Sequence, residues 1–337
     1  MSEIRRDRLH SQYVLIAPER MRRPDTATLP KSSIKVCPFC EGNESMTPQE
    51  IYAIRENEAN ASHWKVRVVP NLYKAVQVEL EDKSRRIGMF DTSPGVGAHE
   101  IVIDSPCHDC RIADLDTVQI RDWLSTIAGR IADLRQDDRL VHTSIFKNHG
   151  DAAGATQQHP HTQIIALPIM PTNELKLLER HMQYYRRTGR SKVEDIVENE
   201  RLAEERIVSE REDFTAFCPY ASAFPFEVII APRKALTNLD ELNRDDMANL
   251  ADLMKEVFTR LDFQLGNFDF NLAFRLAPLN ANFENAPYFP HLKYFFRFTI
   301  RIIPRIYRLG GFELSTGMII NPVEPEEAAK LLREAKI

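Results

Sequence analysis

Apolar and polar positions along the chain follow two rhythms. Lys65–Val69, Ala75–Leu80 and His99–Asp104 are short runs rich in β-branched and apolar residues, separated by Pro or Gly, and are predicted as strands. At Val118, Ile120, Trp123, Leu124, Ile127, Ile131 and Leu134 the spacing lengthens to that of one apolar helical stripe. Two more strands are predicted at Thr143–Lys147 and His161–Leu167. From Thr172 to Asp213 charge dominates and strand formers are scarce. The one break there is Thr188-Gly189-Arg190, so two solvated helices are expected, with a flexible linker as the alternative.

The second half repeats the order of the first. Phe226–Ala231 followed by Pro232 parallels His99–Asp104 followed by Ser105-Pro106, and a helix from Leu239 to Leu261 parallels the first stripe. Strands at Phe268–Leu276 and Phe295–Ile303 follow, the second ending at Pro304. A strand–helix–strand–strand order occurring twice suggests internal duplication. The chain is therefore divided into an N-terminal half (1–172), a charged helical connection (173–213) and a C-terminal half (214–337). An α+β fold is expected, with a mainly antiparallel sheet and packed helices in each half.

Composition narrows the class. Hydrophobic residues make up 43% and charged residues 28% of the 337, which excludes collagen-like, low-complexity and disordered chains. A formal net charge of −5 argues against a dedicated duplex DNA binder and for no nucleic-acid partner. Basic residues nonetheless cluster locally. Six arginines lie between Arg5 and Arg23, and Lys293 to Arg308 holds five bases and no acid, suiting either solvated surface or a small anionic ligand. No apolar run reaches the roughly 18 residues of a membrane span. The charged start lacks a signal-like apolar core, so no membrane partner and a cytoplasmic location are expected. Five cysteines, an odd number, do not suit a secreted disulfide framework.

The sharpest chemistry lies in Gln158-His159-Pro160-His161-Thr162-Gln163, leading into Ile164–Leu167. Strand alternation predicts that His159, His161 and Gln163 project from one face, an expensive arrangement if the three were merely buried. Cys37-Pro38-Phe39-Cys40 offers two thiols at a spacing that fits tetrahedral zinc or a redox pair. Cys107-His108-Asp109-Cys110 adds further donors. A closed structural zinc site from Cys37, Cys40, His108 and His159, one per chain, is expected, with Cys107 or Cys110 as alternatives to His108.

These segments resemble the galactose-1-phosphate uridylyltransferases, a branch of the histidine-triad superfamily. His159-Pro160-His161-x-Gln163 is similar to that family's active-site motif, and the resemblance covers nearly the whole chain. Ala17 to Pro24 is similar to its phosphate-contacting arginine segment, Cys37 to Cys40 to its zinc pair, and Ser105 to His108 to the segment with its third ligand. Phe146 to Gly150 and Phe224 to Glu227 match further segments. The resemblance implies two histidine-triad-like halves, the second a degenerate copy, in a homodimer whose partner completes each site. It also implies a double displacement in which His161 attacks the α-phosphorus of a nucleotide sugar. A sugar 1-phosphate leaves, and a second phosphorylated acceptor collects the nucleotide. UDP-glucose and galactose 1-phosphate are the leading pair. Gln163 would hydrogen-bond a phosphate or leaving oxygen, but it cannot donate a proton as His⁺ does. Arg20, Arg23 and Asn148 would neutralise phosphate, Asn71 would contact the nucleotide or serve as a turn residue, and Glu313 would accept sugar hydroxyls.

Departures from the family pattern matter as much. Aligned on Pro304, positions where the family often has second-metal histidines hold Arg297 and Thr299, and Arg275 stands where another is expected, so no second metal is predicted. Arg297, Arg301 and Arg305 recur every fourth residue. They read as a solvated edge strand, or alternatively as a site for an anionic acceptor or a partner subunit. Gly317 to Pro322 looks more like the ADP-glucose phosphorylase branch, which moves adenylate to phosphate or a related anion. A nucleotide hydrolase and a non-catalytic zinc-stabilised nucleotide binder are rivals of other classes. Gln163 counts against the first, the intact histidine motif against the second.

Overall fold

The computed structural model describes residues 2–7, 12–18, 36–81 and 83–337. In chain order they form β1 (Glu3–Asp7), β2 (Gln12–Ile16), β3 (Tyr52–Arg55), β4 (Trp64–Pro70), β5 (Arg85–Ile87), β6 (Phe90–Pro94) and β7 (Ala98–Ile103). Helix α1 (Thr117–Leu134), β8 (His142–His149), β9 (His161–Leu167), α2 (Thr172–Thr188) and α3 (Lys192–Ala203) follow. Next come β10 (Ile207–Arg211), β11 (Phe214–Phe217), β12 (Val228–Pro232), α4 (Arg244–Leu265) and β13 (Phe270–Arg275). The chain closes with α5 (Leu292–Phe295), β14 (Thr299–Pro304), α6 (Gly311–Thr316) and α7 (Pro325–Arg333).

Ten strands form one sheet in the order β10-β11-β12-β14-β13-β8-β9-β7-β4-β3, and a smaller sheet runs β2-β1-β6-β5. The long order reads the same from either end once β7, β8 and β9 are matched with β12, β13 and β14. This is the topology of a duplicated unit. The halves meet antiparallel at β8 and β13, where Asn148 pairs with Asn271 and Phe146 with Ala273. The α+β character and the two mainly antiparallel halves agree with the sequence reading. The joining of both halves into a continuous sheet does not show in the sequence, yet it removes two open edges at once.

Helices α1 and α4 cover one face and pack on each other. Asp116 caps α1 by accepting the Gln119 N–H at 2.7 Å, and Asn243 with Asp246 closes a capping box on α4. The α1 stripe of Ile120, Trp123, Leu124, Ile127 and Ile131 is fully buried. Val118 is 45% exposed, against expectation, because it lies nine residues before Ile127, about two and a half turns and hence on the opposite side.

Three other expectations change. Ala75–Leu80 makes a single bridge, Gln77 to Val96, and no strand, because its backbone bonds go to the His99 ring and to Gly95 and Gly97. Leu292–Phe295 turns helical, so the last strand starts at Thr299. That strand, β14, is interior, between β12 and β13, which corrects the reading of a solvated edge. The charged connection does contain two helices, and its last residues enter the sheet as β10.

Candidate active site

Strand β9 separates two environments. Thr162 faces the helices, where its Oγ1 receives the Trp123 indole N–H (3.0 Å) and donates to Asp104 (2.9 Å). Asp104 also binds Lys147 Nζ at 2.7 Å, in an ion pair whose side chains are 3% and 2% exposed. His161 and Gln163 face the other way and line two adjoining cavities of about 260 and 400 Å³. The smaller is walled by Phe39, Met46, Val69, Asn71, Leu72 and Tyr73. The larger includes His99, Phe146, Asn148 and Thr156.

His161 Nδ1 lies 2.9 Å from the His159 carbonyl oxygen. An imidazole that donates there carries its proton on Nδ1 and presents the Nε2 lone pair, the form a nucleophile needs. The Phe39 ring stands edge-on to His161 at 5.5 Å. Opposite Gln163 is His99, which the sequence reading passed over. Its Nδ1 accepts the Ala75 N–H at 3.0 Å, and Gln163 Oε1 (3.2 Å) and Asn71 Nδ2 (3.0 Å) both lie against its Nε2. The Oε1 contact leaves the amide nitrogen as the donor end of Gln163. A histidine two residues before the apolar run Ile101-Val102-Ile103 of β7, on the face that Gln163 shares, was the signal available.

The predicted set of three histidine-motif side chains does not share one face. His159 precedes β9, is fully buried, and points into a separate group with Cys37, Cys40 and His108. Donor atoms of these four all lie within 4.8 Å of one another. Cys40 Sγ is 3.2 Å from His108 Nδ1 and 3.6 Å from His159 Nδ1. His159 Nε2 lies 2.9 Å from the Ser105 carbonyl, which fixes the ring with Nδ1 turned inward. Burial keeps His159 neutral by lowering its pKa, and it pushes the Cys40 thiol up to about 11, aided by the neighbouring Cys37. A cation placed among these donors reverses that preference and takes the thiolates. The loop is braced from β4. Trp64 Nε1 donates to Glu44 (2.8 Å), and Arg67 reaches Glu50 (2.9 Å) and Thr47 (2.8 Å). Cys107 and Cys110 are disulfide-bonded to each other, so neither replaces His108.

Other candidates divide. Asn148 joins the His161 cavity, and its Oδ1 accepts from Asn271 Nδ2 (2.8 Å), leaving its own amide nitrogen for a ligand. Asn71 takes the turn role, its Oδ1 accepting the Tyr73 N–H, and it lines the smaller cavity with its Nδ2 3.0 Å from His99 Nε2. Glu313 is not brought to His161 within the chain; it caps α6 through the Gly310 N–H. Arg20 and Arg23 lie outside the described residues. Arg275 pairs with Glu174 at 3.2 Å, and Arg297 meets Glu194 at 3.3 Å and the Lys293 and Phe296 carbonyls. These guanidiniums tie α2 and α3 to the second half of the sheet.

Comparison with known proteins agrees with this geometry. Family models for the N-terminal and C-terminal domains of galactose-1-phosphate uridyl transferase match residues 1–171 and 177–336. The chain is 31% identical to an ADP-glucose phosphorylase from Arabidopsis thaliana, over 99% of this chain and 93% of that protein. It is 28% identical to a galactose-1-phosphate uridylyltransferase from Thermotoga maritima, covering 100% and 99%. A crystal structure of an Arabidopsis thaliana ADP-glucose phosphorylase with bound ADP-glucose superposes with a TM-score of 0.78 at 30% identity, covering all of both chains. Among the described residues no helix is long and apolar enough to cross a membrane. With both domain models spanning nearly its whole length, the chain belongs to the galactose-1-phosphate uridyl transferase family of nucleotidyltransferases.

Proposed function

We propose that the protein moves a nucleoside monophosphate from a nucleotide sugar to a hexose 1-phosphate through a nucleotidyl-histidine on His161. The observation that carries this reading is the His161 Nδ1 contact with the His159 carbonyl, in a ring that lines both cavities. In the first half-reaction Nε2 attacks the α-phosphorus, the P–O bond to the sugar phosphate breaks, and the sugar 1-phosphate leaves. In the second, an acceptor phosphate oxygen attacks the same phosphorus and the P–N bond returns its electron pair to Nε2. Gln163 and Asn148 donate to the phosphoryl oxygens, and Arg20 and Arg23 add positive charge. Asn71 holds the nucleotide in the smaller cavity. Zn²⁺ bound by Cys37, Cys40, His108 and His159 would fix the His159 carbonyl that orients the nucleophile. Glu313 would act on the sugar of a partner subunit's site, since its own chain does not bring it to His161.

A second reading has its own support. The 31% identical relative is an ADP-glucose phosphorylase, so adenylyl transfer from an ADP-sugar to phosphate or a similar anion uses the same residues with another base and acceptor. Incubation with α-labelled UDP-glucose and ADP-glucose should label the protein with one of them, through an acid-labile, base-stable bond that is lost in His161→Ala. Label that survives in His161→Ala would overturn the mechanism. Discharge by galactose 1-phosphate or by inorganic phosphate then separates the two readings.

A further inference from the structure

In the second half, β14 takes the place that β9 has in the first, and it carries Arg301 on the same face as His161 and Gln163. The register runs Gln163 to Phe146, Phe146 to Ala273 and Ala273 to Arg301. Three strand spacings of about 4.8 Å put Arg301 about 14 Å from the catalytic strand. Arg305 follows the end of β14, its backbone N–H bonded to the Asp269 carbonyl at 2.7 Å. Both guanidiniums lie over one ring, that of Phe224, at 5.9 and 5.4 Å.

Among the described residues these two cations meet one carboxylate. Arg301 Nε donates to Glu227 Oε1 at 2.5 Å, while Glu227 Oε2 is taken by the Ala223 and Phe224 N–H groups. Arg305 Nη1 donates to Asn271 Oδ1 at 3.3 Å, and its buried Nε has no acceptor among the described residues. Most guanidinium donors of the pair thus have no acceptor among the described residues; the Arg301 side chain is 31% exposed, and the Arg305 Nε is buried, where an unmet N–H is costly. An oxyanion with several acceptor oxygens fits that deficit in both charge and geometry. The pair is also wired to the catalytic cavity. Asn271, which holds Arg305, donates to Asn148 Oδ1 (2.8 Å) and to the Ala153 carbonyl (2.9 Å) in the loop before Thr156.

We propose that Arg301 and Arg305 form an oxyanion site for a phosphoryl group on the catalytic face, apart from the phosphate attacked at His161. About 14 Å exceeds the span of one phosphate, so the ligand is either a second phosphoryl group at the far end of the sugar or a separate inorganic phosphate. Its place in the reaction rests on the nucleotidyl-transfer reading; the binding itself does not.

Calorimetric titration of the full-length protein with inorganic phosphate, a hexose 1-phosphate and a hexose 1,6-bisphosphate tests the site, using Arg301→Gln, Arg305→Gln and Arg301→Lys. A distal phosphoryl group predicts that the bisphosphate binds at least ten-fold tighter than the monophosphate, and that either Gln variant erases this advantage. A separate phosphate predicts no bisphosphate advantage and at least ten-fold weaker inorganic phosphate binding in both Gln variants. Arg301→Lys retains the Glu227 pair and guards against misfolding, and it should fall between wild type and Arg301→Gln. Unchanged affinities in folded variants, or no binding of any of the three by the wild type, overturn the proposal. If Arg301→Gln instead turns an oligomer into monomers without altering phosphate binding, these arginines serve a second copy and the proposal also falls. Labelling of His161 in the same samples keeps the two readings separate, because its failure removes the reaction but leaves the titration intact.

Discussion

His108 sits between two cysteines that bond each other, and this small arrangement decides which side chain joins Cys37, Cys40 and His159 in the group that could hold a metal. A thiolate is the stronger zinc ligand in the abstract, so spacing alone left Cys107 and Cys110 in contention. The pairing of those two sulfurs removes them, and His108 Nδ1 reaches Cys40 instead. Replacing Cys37 and Cys40 together with Ser should lower bound zinc from about one equivalent to less than a tenth and reduce thermal stability. Replacing Cys107 and Cys110 with Ser should leave zinc content near one. Metal analysis of purified protein reads both, and full zinc occupancy in the Cys37/Cys40 variant would exclude the ligand set. At this same scale His161, Gln163 and the Cys37–Cys40 pair were legible in the sequence, because motif spacing encodes local geometry. His99 was not, because its relation to Gln163 crosses two strands separated by 64 residues.

At the scale of elements, β9 is held from behind. Trp123 on α1, Thr162 on β9, Lys147 on β8 and Asp104 at the end of β7 form one buried polar cluster on the side away from His161. The Asp104 N–H also bonds the Pro160 carbonyl at 3.2 Å, which fixes the chain just before the nucleophile. Asp104→Asn should therefore destabilise the fold by about 3–5 kcal/mol, since it strands a buried ammonium. Adding Lys147→Met to Asp104→Asn should recover more than half of that loss. Denaturant unfolding measures both, and a single-variant effect below about 1 kcal/mol would show that Lys147 finds another partner. None of this was legible beforehand. Lys147 reads as an ordinary alternating polar residue, and only the approach of β7 turns it inward.

For the whole molecule, one group of exposed apolar residues lies in a short segment near the C-terminus. Tyr307, Phe312, Leu314, Met318 and Ile320 are 48–74% exposed within a short stretch that also carries Glu313. The proposed homodimer, in which this segment reaches the site of the partner, would cover these side chains. Light scattering should give twice the monomer mass, and Leu314→Glu with Met318→Glu should shift it to the monomer and cut labelling-and-discharge turnover at least ten-fold. A monomeric wild type would refute the dimer, and Glu313 would then have no site to serve. Periodicity and motif spacing determined by themselves the α+β class, the repeated strand–helix–strand–strand unit, the His159–His161–Gln163 motif and the cysteine pair, because all of these are written in short-range order. The tertiary structure alone decided that the halves share one sheet, that His159 turns from the His161 face toward Cys37, Cys40 and His108, and that β14 is interior with Arg301 on the His161 face. Each of those depends on which strand edges meet, and pairing between distant segments follows from burial and hydrogen-bond closure of the whole chain rather than from any local pattern.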